Sequence, residues 1–222
     1  IAIELGEDNS LVGASITQGD SDVLLFTSGG KAIRFNESDV RAMGRTARGV
    51  RGVKLRQEQT LIALIIPQPD AELLIASENG YGKRSNLEDY SVIGRGGQGV
   101  ICMKVSERNG PVVGVIQIYS GDEVILISDQ GTLVRIRGEE VSTQGRNTQG
   151  VRLINLASDE NLVGLARVEE ADLAAADLAE GTDEADSGAA GTNTPSSADS
   201  AGIEGQSSVD DSQAGINDDA DS

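Results

Sequence analysis

The chain repeats itself, and the period of that repeat constrains its fold more than any other feature. Gly44-Arg45, Gly94-Arg95 and Gly145-Arg146 recur at offsets of 50 and then 51 residues. Gly49-Val50, Gly99-Val100 and Gly150-Val151 keep the same offsets. So do the turn glycines Gly30, Gly80 and Gly131 and the arginines Arg34, Arg84 and Arg135. Each unit reads as an apolar run, a small-residue turn, a basic strand, a connection, and then Gly-Arg-x-x-x-Gly-Val before another short strand. A unit of roughly 50 residues with about four short strands points to all-β, propeller-like blades. The repeats are placed at residues 11–60, 61–111 and 112–161, within a body of residues 1–168 that carries strands of neighbouring blades at both ends. Three blades do not close a ring, so the ring is expected to be incomplete here, with partner strands upstream of Ile1.

The local pattern agrees with the period. Val23-Leu24-Leu25-Phe26-Thr27 is apolar on both faces, as a strand sandwiched between layers would be, whereas Lys31-Ala32-Ile33-Arg34-Phe35 alternates. Short runs around a glycine-containing turn read as antiparallel hairpins. Leu73-Leu74-Ile75-Ala76 with residues 81–85, and Val124-Ile125-Leu126-Ile127 with residues 132–136, repeat the arrangement. Ile1-Ala2-Ile3-Glu4-Leu5 and Leu11-Val12-Gly13-Ala14 match later strand positions and are expected to be strands too. Tyr81, Tyr90 and Tyr119 read as packing residues, and Cys102, in an apolar stretch, as an inert core thiol.

Gly94-Arg95-Gly96-Gly97-Gln98-Gly99 satisfies the G-x-G-x-x-G pattern of a dinucleotide-binding turn. That turn needs a following helix whose N-terminus faces the pyrophosphate. Val100-Ile101-Cys102-Met103-Lys104-Val105 is instead short and rich in β-formers. The other two units hold Thr46-Ala47 and Asn147-Thr148 where this one holds Gly96-Gly97. Only the flanking glycines recur, which favours a structural corner over a nucleotide cradle. The sequence contains no histidine and one cysteine, which excludes Ser-His-Asp and Cys-His catalysis and the usual zinc sites within this chain. No cofactor or metal site and no catalytic residue is assigned to it.

The net charge of −18 is divided unevenly. Residues 1–168 hold all 18 Lys and Arg against 21 Asp and Glu, while residues 169–222 hold 15 acids and no base. Such asymmetry points toward nucleic acid or its mimicry. Residues 169–180 read as a short acidic helix, and the low-complexity stretch beyond them as disordered, because it buries too little apolar surface to offset its ordering entropy.

The bases cluster at repeated positions. Arg41, Arg45, Arg48, Arg51 and Lys54 crowd the first Gly-Arg region; Lys83, Arg84 and Arg95 occupy equivalent sites of the second; Arg135, Arg137, Arg146 and Arg152 do so in the third. Repetition would place them on one face of every blade and form a positive band able to neutralise the phosphates of wrapped duplex DNA. The alternatives are solvated surface charges paired with acids such as Glu37, Glu88 and Glu139, and a protein-binding propeller scaffold on which the arginines are incidental.

Asn79-Gly80-Tyr81-Gly82-Lys83-Arg84, Ser106-Glu107-Arg108-Asn109-Gly110, Gly131-Thr132-Leu133-Val134-Arg135 and Gly145-Arg146-Asn147-Thr148-Gln149-Gly150-Val151 resemble the C-terminal domain of bacterial DNA gyrase A. The likeness covers roughly residues 1–168, and an acidic tail is common in that family. The resemblance implies a β-pinwheel, a propeller-like ring whose basic rim wraps double-stranded DNA. It further implies a parent ATP-dependent type II topoisomerase that introduces negative supercoils. A homodimer of gyrase A would pair with gyrase B in an A2B2 heterotetramer in the bacterial cytoplasm, at the nucleoid. ATP and Mg2+ would bind through gyrase B, and the cleavage tyrosine would lie in a region other than this one. The related C-terminal domain of topoisomerase IV is the alternative within the same class.

Overall fold

The computed structural model describes residues 3–169. In chain order its strands are β1 (Asp22–Thr27), β2 (Lys31–Asn36), β3 (Leu61–Ile65), β4 (Glu72–Ser77), β5 (Tyr81–Asn86) and β6 (Val100–Ile101). They continue with β7 (Val112–Ile118), β8 (Glu123–Ser128), β9 (Leu133–Arg137), β10 (Val151–Arg152) and β11 (Leu162–Val168). Short 3-10 turns at Glu37–Asp39, Leu87–Asp89 and Gly138–Glu140 end the second strand of each hairpin. The fold is all-β, as the repeat predicts.

Three antiparallel sheets form, in the strand orders β3-β1-β2-β6, β10-β5-β4-β7 and β11-β8-β9. Each is founded on one hairpin, closed by a short glycine-containing turn of three residues in the first two sheets and four in the third. A long strand from the next unit adds to one edge: β3 to β1, β7 to β4 and β11 to β8. In the first two sheets, a two-residue strand from the next Gly-Arg corner adds to the other edge. Thus β6 pairs Lys31 with Ile101 and Ala32 with Val100, and β10 pairs Tyr81 with Arg152 and Gly82 with Val151. A sheet therefore draws its strands from more than one unit of sequence, and each of these corners reaches back one blade.

The apolar faces explain the stacking. Leu73 and Ile75 of β4 pack with Leu24 and Phe26 of β1, together with Val112, Val115 and Met103. Leu74 and Ala76 face the other way, onto Val124, Leu126 and Leu162. All four β4 side chains are fully buried, which is why that strand is apolar without alternation. Burying a Leu or Ile side chain contributes about 1.5–3 kcal/mol, so the central sheet is held by layers on both sides. Leu25, Ile33 and Phe35 form a smaller cluster on the outer face of the first sheet.

The structure corrects the reading of the first residues. Residues 3–5 and 11–14 form no strand, and Leu11 and Val12 are exposed. The later counterparts of residues 11–14, at β3, β7 and β11, are edge strands, each paired with the hairpin before it, whereas those of residues 3–5, at 53–55, 103–105 and 154–156, form no strand in any unit. Among the described residues no hairpin precedes residue 11, and its backbone joins no ladder. The acidic helix and tail read from the sequence lie outside the described residues, apart from Glu169.

Candidate nucleic-acid interface

The corners form one continuous stack. The Gly96 amide donates to the Gly52 carbonyl at 2.5 Å, and the Lys54 amide to the Gly97 carbonyl at 2.7 Å. One unit on, the Lys104 amide donates to the Thr148 carbonyl at 2.9 Å. The corner arginines reinforce the same contacts. Arg95 Nη1 donates to the Arg51 carbonyl at 3.2 Å, and Arg146 Nη1 to the equivalent Ile101 carbonyl at 3.5 Å. Arg95 Nε also donates to the Asp39 carbonyl at 2.8 Å. These neutral acceptors orient the guanidiniums without cancelling their charge, and each keeps donors in reserve.

The recurring glycine that ends each corner has a steric reason. Gly99 and Gly150 adopt φ of +72° and +79°, and a Cβ there would come within 2.2 Å of the Ala32 carbonyl oxygen and 2.5 Å of that of Gly82. Only glycine lets the corner close onto the preceding hairpin. The dinucleotide-like stretch is thus a blade corner, and β6 follows it where a nucleotide site would need a helix.

Arg45, Arg48, Arg51, Lys54 and Arg95 are exposed along this stack, and Arg146 is half-buried. Arg41 is exposed beside the first corner. Arg48 meets Glu4 at 3.4 Å, but both side chains are more than half exposed, so the pair is weak. Lys104, at the position equivalent to Lys54, is exposed and belongs with the group. Its repeat offset from Lys54 is the signal that identifies it.

Other predicted bases sit differently. Arg84 pairs with Glu72 at 2.7 Å, and its Nε donates to the Val141 carbonyl at 2.6 Å. Arg34 does the same one unit earlier, pairing with Asp22 at 2.8 Å and donating to the carbonyls of Leu87 and Tyr90. Each guanidinium therefore latches its own hairpin to the 3-10 turn of the next blade. Arg135 holds the third equivalent position and pairs with Glu123, while Arg137 pairs with Glu140 at 3.2 Å on the surface. Arg84 is a blade-to-blade latch, which corrects its placement among the solvent-facing cations.

Lys83 is corrected more sharply: it is fully buried. Its Nζ donates to the carbonyls of Gly145 at 2.6 Å and Arg146 at 2.8 Å, pinning the third corner to β5. Burial, with a smaller contribution from the Arg146 charge, lowers its pKa to about 8, against the opposing influence of Cys102 and Asp89. Cys102 is buried and its thiol is pushed up to about 12, so it is a core group. Tyr90 packs edge-on against Phe26, with ring centroids 6.0 Å apart, and burial is the main cause raising its pKa. Arg152 is exposed and donates to the Tyr81 hydroxyl at 2.7 Å.

Stacked antiparallel sheets that trade edge strands, with a cationic corner on each blade, define a propeller-type repeat domain. Its sequence gives the family. The profile described as DNA gyrase C-terminal domain, beta-propeller, matches residues 21–68, 71–118 and 122–169, and the chain belongs to this family. The DNA gyrase A protein of Pseudomonas aeruginosa is 52% identical over 170 residues, which cover 77% of this chain and 18% of that protein. The DNA gyrase A protein of Escherichia coli K12 is 48% identical over 190 residues, covering 83% and 22%. The chain thus spans about a fifth of the length of these curated relatives. Among solved structures, a DNA gyrase A C-terminal domain matches with a TM-score of 0.69 at 31% identity, over 76% of this chain and 57% of that one. The C-terminal domain of DNA topoisomerase IV matches at 0.71 with 21% identity, over 82% and 58%, a likeness of fold.

Proposed function

We propose that this chain is the DNA-wrapping module of a DNA gyrase A protein, holding duplex DNA by its phosphates along the corner stack. The observation that carries the reading is the recurrence of Arg45, Arg95 and Arg146 on corners that stack directly on one another, with Arg48, Arg51, Lys54 and Lys104 beside them. Phosphate contact without base reading suits a cationic ridge with no helix to enter a groove. Bending the duplex over such a ridge presents a crossing of one hand to the cleavage region of the parent enzyme. That enzyme is an ATP-dependent type II topoisomerase of the bacterial cytoplasm, an A2B2 heterotetramer in which gyrase A is a homodimer and gyrase B binds ATP and Mg2+. In this division of labour no residue of the present chain breaks or joins DNA.

The test is the salt dependence of binding. Six phosphates contacted by Arg45, Arg48, Arg51, Lys54, Arg95 and Arg146 give a slope of log K against log salt of about −5. Fluorescence anisotropy of a labelled duplex across a salt series measures it. An affinity that does not respond to salt overturns the phosphate ridge. Net negative supercoiling by the ATP-fuelled parent enzyme, lost on deletion of this domain, tests the gyrase assignment.

A further inference from the structure

At the turn end of the second sheet, two guanidiniums gather on one phenol. Arg108 lies 4.8 Å from the centroid of the Tyr81 ring, and Arg152 lies 5.3 Å from it. Both arginines are exposed, whereas Tyr81 is buried. Arg152 is oriented by two hydrogen bonds, to the Tyr81 hydroxyl at 2.7 Å and to Asn155 Oδ1 at 3.0 Å. The Arg108 loop is fixed through its backbone: Asn79 Nδ2 donates to the carbonyls of Glu107 at 3.1 Å and Arg108 at 3.2 Å. A cleft of about 270 Å³ opens between them.

The charges in this cleft are unbalanced. Among the described residues neither Arg108 nor Arg152 forms an ion pair. Glu160 is the one carboxylate on the cleft wall; Ser128 Oγ and the Ala157 amide hold it ionised but away from both guanidiniums, so two cations face one anion with which neither pairs. Two like charges are therefore held beside one ring with donors to spare and no carboxylate paired to either. Hydrogen bonding from Arg152 and then from Arg108 holds the Tyr81 phenol below its ordinary pKa, so the site favours negative charge. The trio is not part of the repeat. One blade earlier the equivalent positions are Lys31, Glu58 and Ile101, so although Arg152 stands at the corner position of Arg51, the trio as a whole belongs to the second blade.

We infer that the Arg108–Tyr81–Arg152 cleft is a seat for a phosphate group. Guanidiniums bind phosphate through paired N–H donors, and the Tyr81 ring holds both in place. The group is either a phosphodiester of bound duplex or a free polyphosphate. The first source rests on the DNA-wrapping reading and the second does not.

NMR of the chain carrying tyrosine labelled with 13C at the ζ carbon reads the site directly, with Tyr81→Phe assigning the resonance. Inorganic pyrophosphate and a short duplex are titrated separately at low salt. A saturable shift of the Tyr81 signal is expected, weakened about tenfold or more in apparent Kd by Arg108→Gln, which leaves the Arg152–Tyr81 hydrogen bond intact. A shift with duplex alone identifies the backbone phosphodiester as the occupant. A shift with pyrophosphate alone identifies a free phosphate, and the salt slope of duplex binding then still reports on the corner ridge. No saturable shift with either titrant in the folded chain overturns the seat. So does a shift that Arg108→Gln and Arg152→Gln both leave unchanged.

Discussion

Arg84 and Arg95 belong to two sets of arginines that share one period, and the two sets do opposite things. The Arg34, Arg84 and Arg135 set faces a carboxylate on the neighbouring strand, namely Asp22, Glu72 and Glu123. Arg95 and Arg146 face backbone carbonyls of the preceding corner and keep their charge uncompensated. Recurrence shows that a role is repeated in every blade without showing which role. The partners decide that: a carboxylate within the same hairpin cancels the charge, and in Arg34 and Arg84 the remaining donors close a joint onto carbonyls of the next blade, whereas a guanidinium held by carbonyls alone is aimed and leaves its field in solvent.

The largest expected effect separates the sets on the DNA side. Converting Arg45, Arg95 and Arg146 together to Glu removes three cations and adds three anions to the ridge. Duplex affinity near 50 mM salt should fall at least about 100-fold, or roughly 3 kcal/mol. Anisotropy titration measures this, and a melting curve confirms that the blades persist. Unchanged affinity would assign the domain to protein binding, with incidental arginines.

The latch set should respond in the other coordinate. Arg84→Met strands Glu72 and leaves the Val141 carbonyl without its charged donor. Both members of the pair are largely shielded from water, with side-chain exposures of 19% and 29%, so the loss should be about 2–3 kcal/mol of unfolding free energy. Urea denaturation reads it. Duplex affinity of the folded variant should stay within about twofold of the parent, because a paired arginine contributes little counterion release. A large loss of affinity with unaltered stability would move Arg84 back to the ridge.

Lys83 sharpens the comparison within the corners themselves. The third corner is pinned by its ammonium, whereas the second corner lies over the aliphatic Ile33, whose Cδ1 is 3.7 Å from where a Cβ on Gly97 would sit. The folded pKa of about 8 lies below the unfolded value near 10.4. Below pH 8 both states carry the proton and the burial penalty is fully present. Between pH 8 and 10.4 the unfolded state binds more protons, so stability rises with pH. The wild type should gain about 2 kcal/mol relative to Lys83→Met across that interval. Comparing the two profiles cancels the opposite contribution of Tyr90, whose raised pKa favours folding less as the unfolded phenol ionises above pH 10. Parallel profiles would show that Lys83 is solvated.

Much of this architecture is legible before any coordinates. The period gives the blades, and the doubly apolar β1 and β4 runs give the stacking. Two things escape a reading by element. One is strand exchange: Val100 and Ile101 follow the second corner yet complete the first sheet, because a two-residue strand has no pattern of its own and its partner is set by closure of Gly99 onto Ala32. The other is the sorting of bases, although its signals are present. Asp22, Glu72 and Glu123 recur with the latch arginines. Lys83 stands where the other units have Ile33 and Val134, and a polar residue at an aliphatic position of a repeat marks a buried, hydrogen-bonded group. Leu11 and Val12 failed as a strand for a different reason: an edge strand is specified by its neighbour as much as by its own side chains.

Lys104 offers the finest distinction. It is exposed, its amide is fixed on Thr148, and its counterpart Lys54 occupies the same place one blade earlier. A lysine contacting phosphate as a point charge contributes about one released counterion. Lys104→Ala should therefore flatten the salt slope by about 0.9 and weaken binding equally for duplexes of any sequence. Unfolding free energy should move by less than about 0.5 kcal/mol, as for other surface substitutions. Lys54→Ala should match it if the duplex crosses both corners. A slope change at Lys54 alone would mean that the DNA leaves the ridge before the second corner, and equal changes at both would carry its path across two consecutive blades.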